Sequence, residues 1–225
     1  MHLVFKHKTL NLSTPAVMGV LNVTPDSFYD GGRYSDEKSI LLQAEKMLLE
    51  GADIIDIGAC STRPGATEIP EEEELNRLIP ILKLLRKKFP DTIISVDTFR
   101  SRVAHQAVNE GVDMVNDVAG GTLDERMFET VGKLRVPYVL THIKGTPQTM
   151  QNNPEYKDVA NEVKHFIGEK IHALRNAGAK QIMIDPGFGF GKTLEHNYTL
   201  LKHLAEFKKF DLPILAGMSR KGMIY

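Results

Sequence analysis

The sequence predicts an α/β protein with a parallel sheet, either a TIM-type (β/α)8 barrel of which about seven units are present or an open doubly wound sheet. Three observations lead there: a recurring unit of helix, glycine and short apolar run, a regular alternation of strand-like and helix-like segments, and a polar residue at the end of every strand-like segment. The recurring unit is clearest at LEGADIID (49–56), NEGVDMVN (109–116) and NAGAKQIMID (176–185). In each, the glycine (Gly51, Gly111 or Gly178) falls where a helix would end in a left-handed residue, and the apolar run that follows is too short for another helix.

Helical stripes precede these glycines at Ile40, Leu41, Ala44, Met47 and Leu48, at Val103, Ala104, Ala107 and Val108, and at Val159, Val163, Phe166, Ile167 and Leu174. Their spacing suits packing onto a sheet. Further strands are expected at 16–22, 92–97, 136–142 and 213–217, and further helices at about 71–88 and 194–208. The count is seven strands alternating with six helices after a short N-terminal segment. Short strands that are apolar on both faces and alternate with helices imply parallel pairing through right-handed crossovers. A complete barrel takes about 250 residues, so 225 residues leave room for all but a closing strand and its helices. The run EEEE at 71–74 reads as the acidic first turn of a helix.

Composition bounds the function. Lys and Arg total 28 against 29 Asp and Glu, so the global basic field that drives non-specific nucleic-acid binding is lacking. Small or locally charged ligands are expected instead. Cys60 is the single cysteine, which excludes an intrachain disulfide framework and suits a reducing compartment. The N-terminus carries no signal-like run, and no segment approaches the roughly 20 apolar residues of a membrane span. A cytoplasmic location and a single domain over 1–225 are therefore expected.

The strand ends carry the chemistry. Asn22, Asp56, Asp97, Asn116 with Asp117, His142, Asp185 and, beyond the last strand, Ser219 with Lys221 occupy these positions. In a barrel they converge on the face that holds the active site. Capping and turn roles explain any one of them; seven in register indicate a shared pocket. Two long loops, 22–35 and 58–70, combine hydroxyls, glycines and an arginine (Arg33, Arg63), a composition suited to gripping an anion. Other patterns fail. PGFGFGKT (186–193) has Pro186 where a phosphate-binding P-loop needs glycine, and its glycine spacing misses the dinucleotide fingerprint. The eight histidines form no zinc motif; His165, His172, His196 and His203 fall on expected helices, and His142 suits a structural hydrogen bond and a ligand contact equally.

MGVLNVTPDSFYDGG (18–32), DIGACSTRPGA (56–66), SVDT (95–98), NDVAGG (116–121), HIKGTPQTMQ (142–151), IDPGFGFGK (184–192) and GMSRK (217–221) together resemble dihydropteroate synthases. The resemblance runs from about residue 16 to the end and implies the barrel alternative. It implies condensation of (7,8-dihydropterin-6-yl)methyl diphosphate with p-aminobenzoate, with Mg²⁺ helping to bind the diphosphate, Asn22 as its matching ligand, and a homodimer. It further implies a pterin pocket in which Asp185 accepts hydrogen bonds from the pyrimidine edge, Asp97 and Asn116 complete the polar side, Lys221 meets the carbonyl and ring-nitrogen side, and Phe190 forms a wall. Thr62 and Arg63 would grip the diphosphate, and the loop with Asp26, Phe28 and Asp30 would close over p-aminobenzoate. Catalytic roles are thus implied for Asn22, Asp30, Arg63 and Lys221.

Three departures from the family pattern stand out. Ala59 and Cys60 stand where glycine and glutamate are common, Gly222 where serine is frequent, and the sequence stops at Tyr225 before the family's terminal anion-binding motif. A longer natural chain is expected from the last. Two alternatives share the pterin pocket: a pterin-dependent methyltransferase barrel, against which NVTPDSF and STRPG argue, and a non-catalytic pterin-binding fragment.

Overall fold

In the computed structural model, which describes residues 1–23, 33–60 and 69–224, six consecutive parallel strands form one sheet. They are β3 (Met18–Asn22), β4 (Ile54–Gly58), β5 (Ile93–Asp97), β6 (Met114–Asp117), β7 (Tyr138–Thr141) and β8 (Ile182–Asp185). Neighbours in the sheet are neighbours in sequence throughout, β3-β4-β5-β6-β7-β8. A doubly wound sheet would reverse its order at a switch point; an order that only advances belongs to a barrel wall.

Among the described residues five helices fill the connections between these strands and a sixth follows β8: α1 (Arg33–Leu49), α2 (Glu71–Lys88), α3 (Ser101–Asn109), α4 (Met127–Leu134), α5 (Val159–Asn176) and then α6 (Leu194–Lys202). Each packs on the next, from α1 on α2 to α5 on α6, so they form one outer layer. The local signals act as expected. Glu71 to Glu74 open α2 and Arg86, Lys87 and Lys88 end it, matching the helix dipole at both termini. Gly51, Gly111 and Gly178 have φ of 102°, 95° and 98°, the left-handed region that ends a helix cheaply only in glycine. Asp158 caps α5 by accepting the Asn161 N–H at 3.0 Å.

Two expectations are corrected, and one segment left unassigned gains a structure. The N-terminal segment is an antiparallel hairpin of β1 (His2–Val4) and β2 (Thr9–Asn11). Its Leu3, Phe5 and Leu10 pack with Ile54, Ile93, Met114, Val139 and Met183, which line the inside of the sheet. The Gln181 side chain bonds both Val4 N–H (2.7 Å) and Val4 C=O (2.8 Å), acting as a strand partner for the hairpin. Residues 213–217 do not form a full strand. They make one bridge, Ile184 with Ile214, through the bonds Ile184 N–H to Pro213 O (2.9 Å) and Leu215 N–H to Ile184 O (2.8 Å); Pro213 has no N–H to extend the ladder. The helix expected over 194–208 breaks at His203, and Leu204–Phe210 continue as a 3-10 helix. Threefold periodicity stacks Leu204, Phe207 and Phe210 on one side there, and Phe207 is fully buried.

Candidate active site

Strand parity builds the site. Ile54, Ile93, Met114, Val139 and Met183, which stand two positions before Asp56, Ser95, Asn116, Thr141 and Asp185 in turn, belong to the inner cluster over the hairpin, whereas Ile55, Ile57, Ile94, Val96, Val115, Leu140, Ile182 and Ile184 belong to the outer core under the helices. With side chains alternating along a strand, the inward set above the hairpin is Asp56, Ser95, Asp97, Asn116, Thr141 and Asp185. The lower interior is apolar and the C-terminal mouth is polar. Asn22 ends β3 on the same face, paired in register with Gly58.

These groups satisfy one another incompletely. Asn116 Nδ2 donates to Asp56 Oδ2 at 2.9 Å. Asp56 Oδ1, Ser95 Oγ, Asp97 Oδ1, Asn116 Oδ1 and Thr141 Oγ1 are shut off from solvent without a hydrogen-bond partner. A buried polar group left unpaired costs about 1–3 kcal/mol, so five on one inward face, three of them acceptors only, form a cradle for a ligand rich in donors. Burial raises the pKa of Asp56. Burial, then the neighbouring carboxylate of Asp56, lifts Asp97 well above the usual carboxylate range. Burial also raises Asp185, but Lys221 and the Gly187 N–H, which donates to its Oδ1 at 2.7 Å, act the other way.

Glycines open the chamber. A Cβ at residue 58 would stand 3.2 Å from Asp97 Cβ and 3.3 Å from its Oδ2. One at residue 217 would lie 3.6 Å from Lys221 Nζ and 3.8 Å from Asp185 Oδ2, so Gly217 sits beside the gap between that cation and that anion. The Lys221 stem crosses Gly189, its Nζ donates to Phe188 C=O and stands 4.4 Å from the Phe190 ring centroid. Asp185, Phe190 and Lys221 are therefore brought together on one side, and Asp97 and Asn116 with Asp56 on the other.

Two strand-end residues leave this set. Asp117 belongs to the outer parity: Tyr138 OH donates to it at 2.6 Å, and the Gly121 and Ala119 N–H groups each donate at 2.8 Å. It shapes the turn after β6. His142 is buried and receives the Lys192 ammonium at Nδ1 (2.9 Å); burial first, then that cation, lowers its pKa to about 2, so it is neutral. Asp30, Thr62 and Arg63, with Asp26 and Phe28, lie outside the described residues. A Cβ at Gly222 would meet nothing within 4 Å, so that position opens onto free space.

Some of what lines the site was not assigned from sequence. Asp56 was recognised as a strand end without a role, and Ser95 and Thr141 follow from alternation alone. Glu74, read as part of an acidic first turn, is buried, accepts from Thr98 Oγ1 (2.7 Å) and pairs with Arg100 (2.5 Å). Arg100 also donates to Ile69 C=O at 2.7 Å, fixing the end of the second long loop. Among the described residues no group of three His, Cys, Asp or Glu could hold a metal, and no helix is long and apolar enough to cross a membrane.

Residues 18–225 match the family model described as "Pterin binding enzyme". The dihydropteroate synthase of Haemophilus influenzae is 45% identical over all of this chain and 82% of its own length. Among solved structures, the Yersinia pestis dihydropteroate synthase with a sulfonamide drug superposes with a TM-score of 0.91 at 43% identity, over 100% of this chain and 81% of that one. The Xanthomonas albilineans dihydropteroate synthase with 4-aminobenzoic acid gives 0.91 at 43% identity, over 99% and 80%. The barrel architecture, the polar cradle at its mouth and these likenesses agree: the chain belongs to the dihydropteroate synthase family of pterin-binding enzymes.

Proposed function

We propose that this chain condenses (7,8-dihydropterin-6-yl)methyl diphosphate with p-aminobenzoate to give 7,8-dihydropteroate and pyrophosphate. The observation that carries the pterin part is the cradle of partnerless polar atoms at Asp56, Ser95, Asp97, Asn116 and Thr141 beside Asp185. A pterin presents a 2-amino group and ring N–H groups on one edge, and these are the donors such a cradle lacks. Asp185 takes the pyrimidine edge, with Asn116 and Asp97 completing the polar side. Lys221, next to Asp185, donates to the carbonyl and ring-nitrogen side, and the Phe190 ring forms the wall.

The reacting carbon loses its bond to the diphosphate oxygen, and the electron pair leaves with pyrophosphate. The resulting cation is stabilised by the electron-rich dihydropterin. The amine nitrogen of p-aminobenzoate then forms the new C–N bond and releases a proton. The protein's share is to hold both reactants in line and to stabilise the leaving anion. Thr62 and Arg63 are proposed to bind that anion, and Asp30 with its loop to cover the second substrate. The likeness to a relative solved with 4-aminobenzoic acid supports that second substrate.

Mg²⁺ fits the donor chemistry at Asn22, a hard amide oxygen at a strand end on the inward face. Magnesium keeps several waters and relies on substrate phosphates, so one protein ligand suffices. When bound, it would neutralise diphosphate charge. A cytoplasmic homodimer acting on small molecules completes the proposal.

The test is pyrophosphate release by the purified chain. Release that requires both substrates and Mg²⁺ is expected. Pterin binding without release would leave a binding protein in place of a synthase.

A further inference from the structure

The loop 186–191 carries the wall of the proposed pterin pocket, and its shape depends on a residue no substrate needs to touch. Lys192 is buried, 3% exposed, yet it is fully engaged. Its ammonium donates to Gly187 C=O at 2.8 Å, Phe190 C=O at 3.0 Å and His142 Nδ1 at 2.9 Å. Because His142 is neutral, that ring nitrogen is free to accept and its other nitrogen carries the proton. The His142 ring is in turn packed against Phe166 in a T-shaped pair, with ring centroids 4.9 Å apart.

The loop closes around this ammonium very tightly. A Cβ at Gly187 would fall 1.9 Å from His142 O, and one at Gly191 would fall 2.4 Å from Lys144 O. Between the two gripped carbonyls lie the groups that seat Lys221: the Phe188 carbonyl, the open backbone of Gly189 and the ring of Phe190. The N–H of Gly187, the residue whose carbonyl Lys192 holds, donates to Asp185 Oδ1.

We infer that Lys192 is a positioning residue: its ammonium acts as an internal cation that gathers the carbonyls of loop 186–191 and thereby sets Phe190, Lys221 and Asp185 at the geometry the pterin requires. The inference rests on the pterin reading of the site. The charged and titratable groups facing Lys192 are Asp185 from the end of β8, Lys221 from the last segment, and Lys144 and His142 from the loop after β7. Burial dominates among them and lowers the Lys192 pKa to about 7, with Asp185 opposing. The cage is therefore charged below neutrality and loses its charge as the pH rises above it.

The experiment titrates wild type, Lys192→Met and Lys192→Gln with pterin at pH 6 and pH 9, with a thermal melt of each. Pterin binding by wild type tests the site itself, independently of the variants. Both variants are expected to bind pterin at least tenfold more weakly than wild type at pH 6, and this deficit is expected to shrink at least threefold at pH 9. Affinity within twofold of wild type in a folded variant would overturn the inference. So would a deficit that is the same at both pH values, which would assign the effect to packing of the side-chain stem. Lys192→Gln retains a hydrogen-bond donor where Lys192→Met has none, so one folded variant of the two suffices for the comparison.

Discussion

Asp97 and Asp56 face each other's charge at the barrel mouth, Asp56 buried and Asp97 partly exposed, and this makes their protonation a property of the site. The carboxyl of Asp97 is held well above its ordinary range by burial and then by Asp56. A raised acid takes up its proton sooner as pH falls, and a protonated carboxyl accepts less well from the N–H groups of a pterin. Pterin affinity is therefore expected to decline on acidification beginning above the ordinary carboxylate range, and Asp97→Asn should remove part of that decline; calorimetric titration between pH 5 and pH 8 would measure both curves. At this scale much was legible. The strand ends are polar where core is expected, and alternation alone separates inward Asn116 from outward Asp117. What alternation does not give is whether a buried group has a partner: His142 is claimed by Lys192 and Asp117 by Tyr138, and both depend on contacts distant in sequence.

Elements divide into those governed by local rules and those governed by packing. Helices α1, α2, α3 and α5 were readable because apolar stripes and terminal glycines act within a few residues. The 3-10 continuation at Leu204–Phe210 was not, since a spacing of three is also compatible with an α-helix until burial of Phe207 decides it. The hairpin was missed because its strands have three residues each and its turn, Phe5-Lys6-His7-Lys8, lacks the usual glycine or asparagine signal. The loop 186–191 shows the strongest conflict between composition and role: its glycines resemble a phosphate loop but serve close backbone approach. Gly187 has φ of 71° and its missing Cβ would collide with His142 O. Gly187→Ala is expected to cost at least about 1–3 kcal/mol of stability from backbone strain alone and to weaken pterin binding about tenfold or more, read by denaturant unfolding and by titration of the folded variant.

For the molecule as a whole, the strand order that only advances, the single helical layer and the hairpin plug separate stability from function along one axis. The N-terminal ends of the strands are filled by Leu3, Phe5 and Leu10, and the C-terminal ends hold the polar cradle. Leu3 is 2% exposed, so Leu3→Ala should cost about 2–5 kcal/mol while leaving the pterin affinity of the folded protein within twofold; chemical denaturation paired with titration checks both halves. The barrel was legible from the repeat and the resemblance, while the weak pairing of 213–217 was not, because its apolar run says nothing about how many backbone bonds it finds. The cradle at the barrel mouth is thus proposed to be a pterin site anchored by Asp185. The most direct measurement is a calorimetric titration of pterin into wild type and Asp185→Ala. Loss of two hydrogen bonds to a charged acceptor, each about 1.5–3 kcal/mol, predicts an affinity at least a hundredfold weaker in a variant that still melts cooperatively. Equal affinity in the two proteins would contradict the claim.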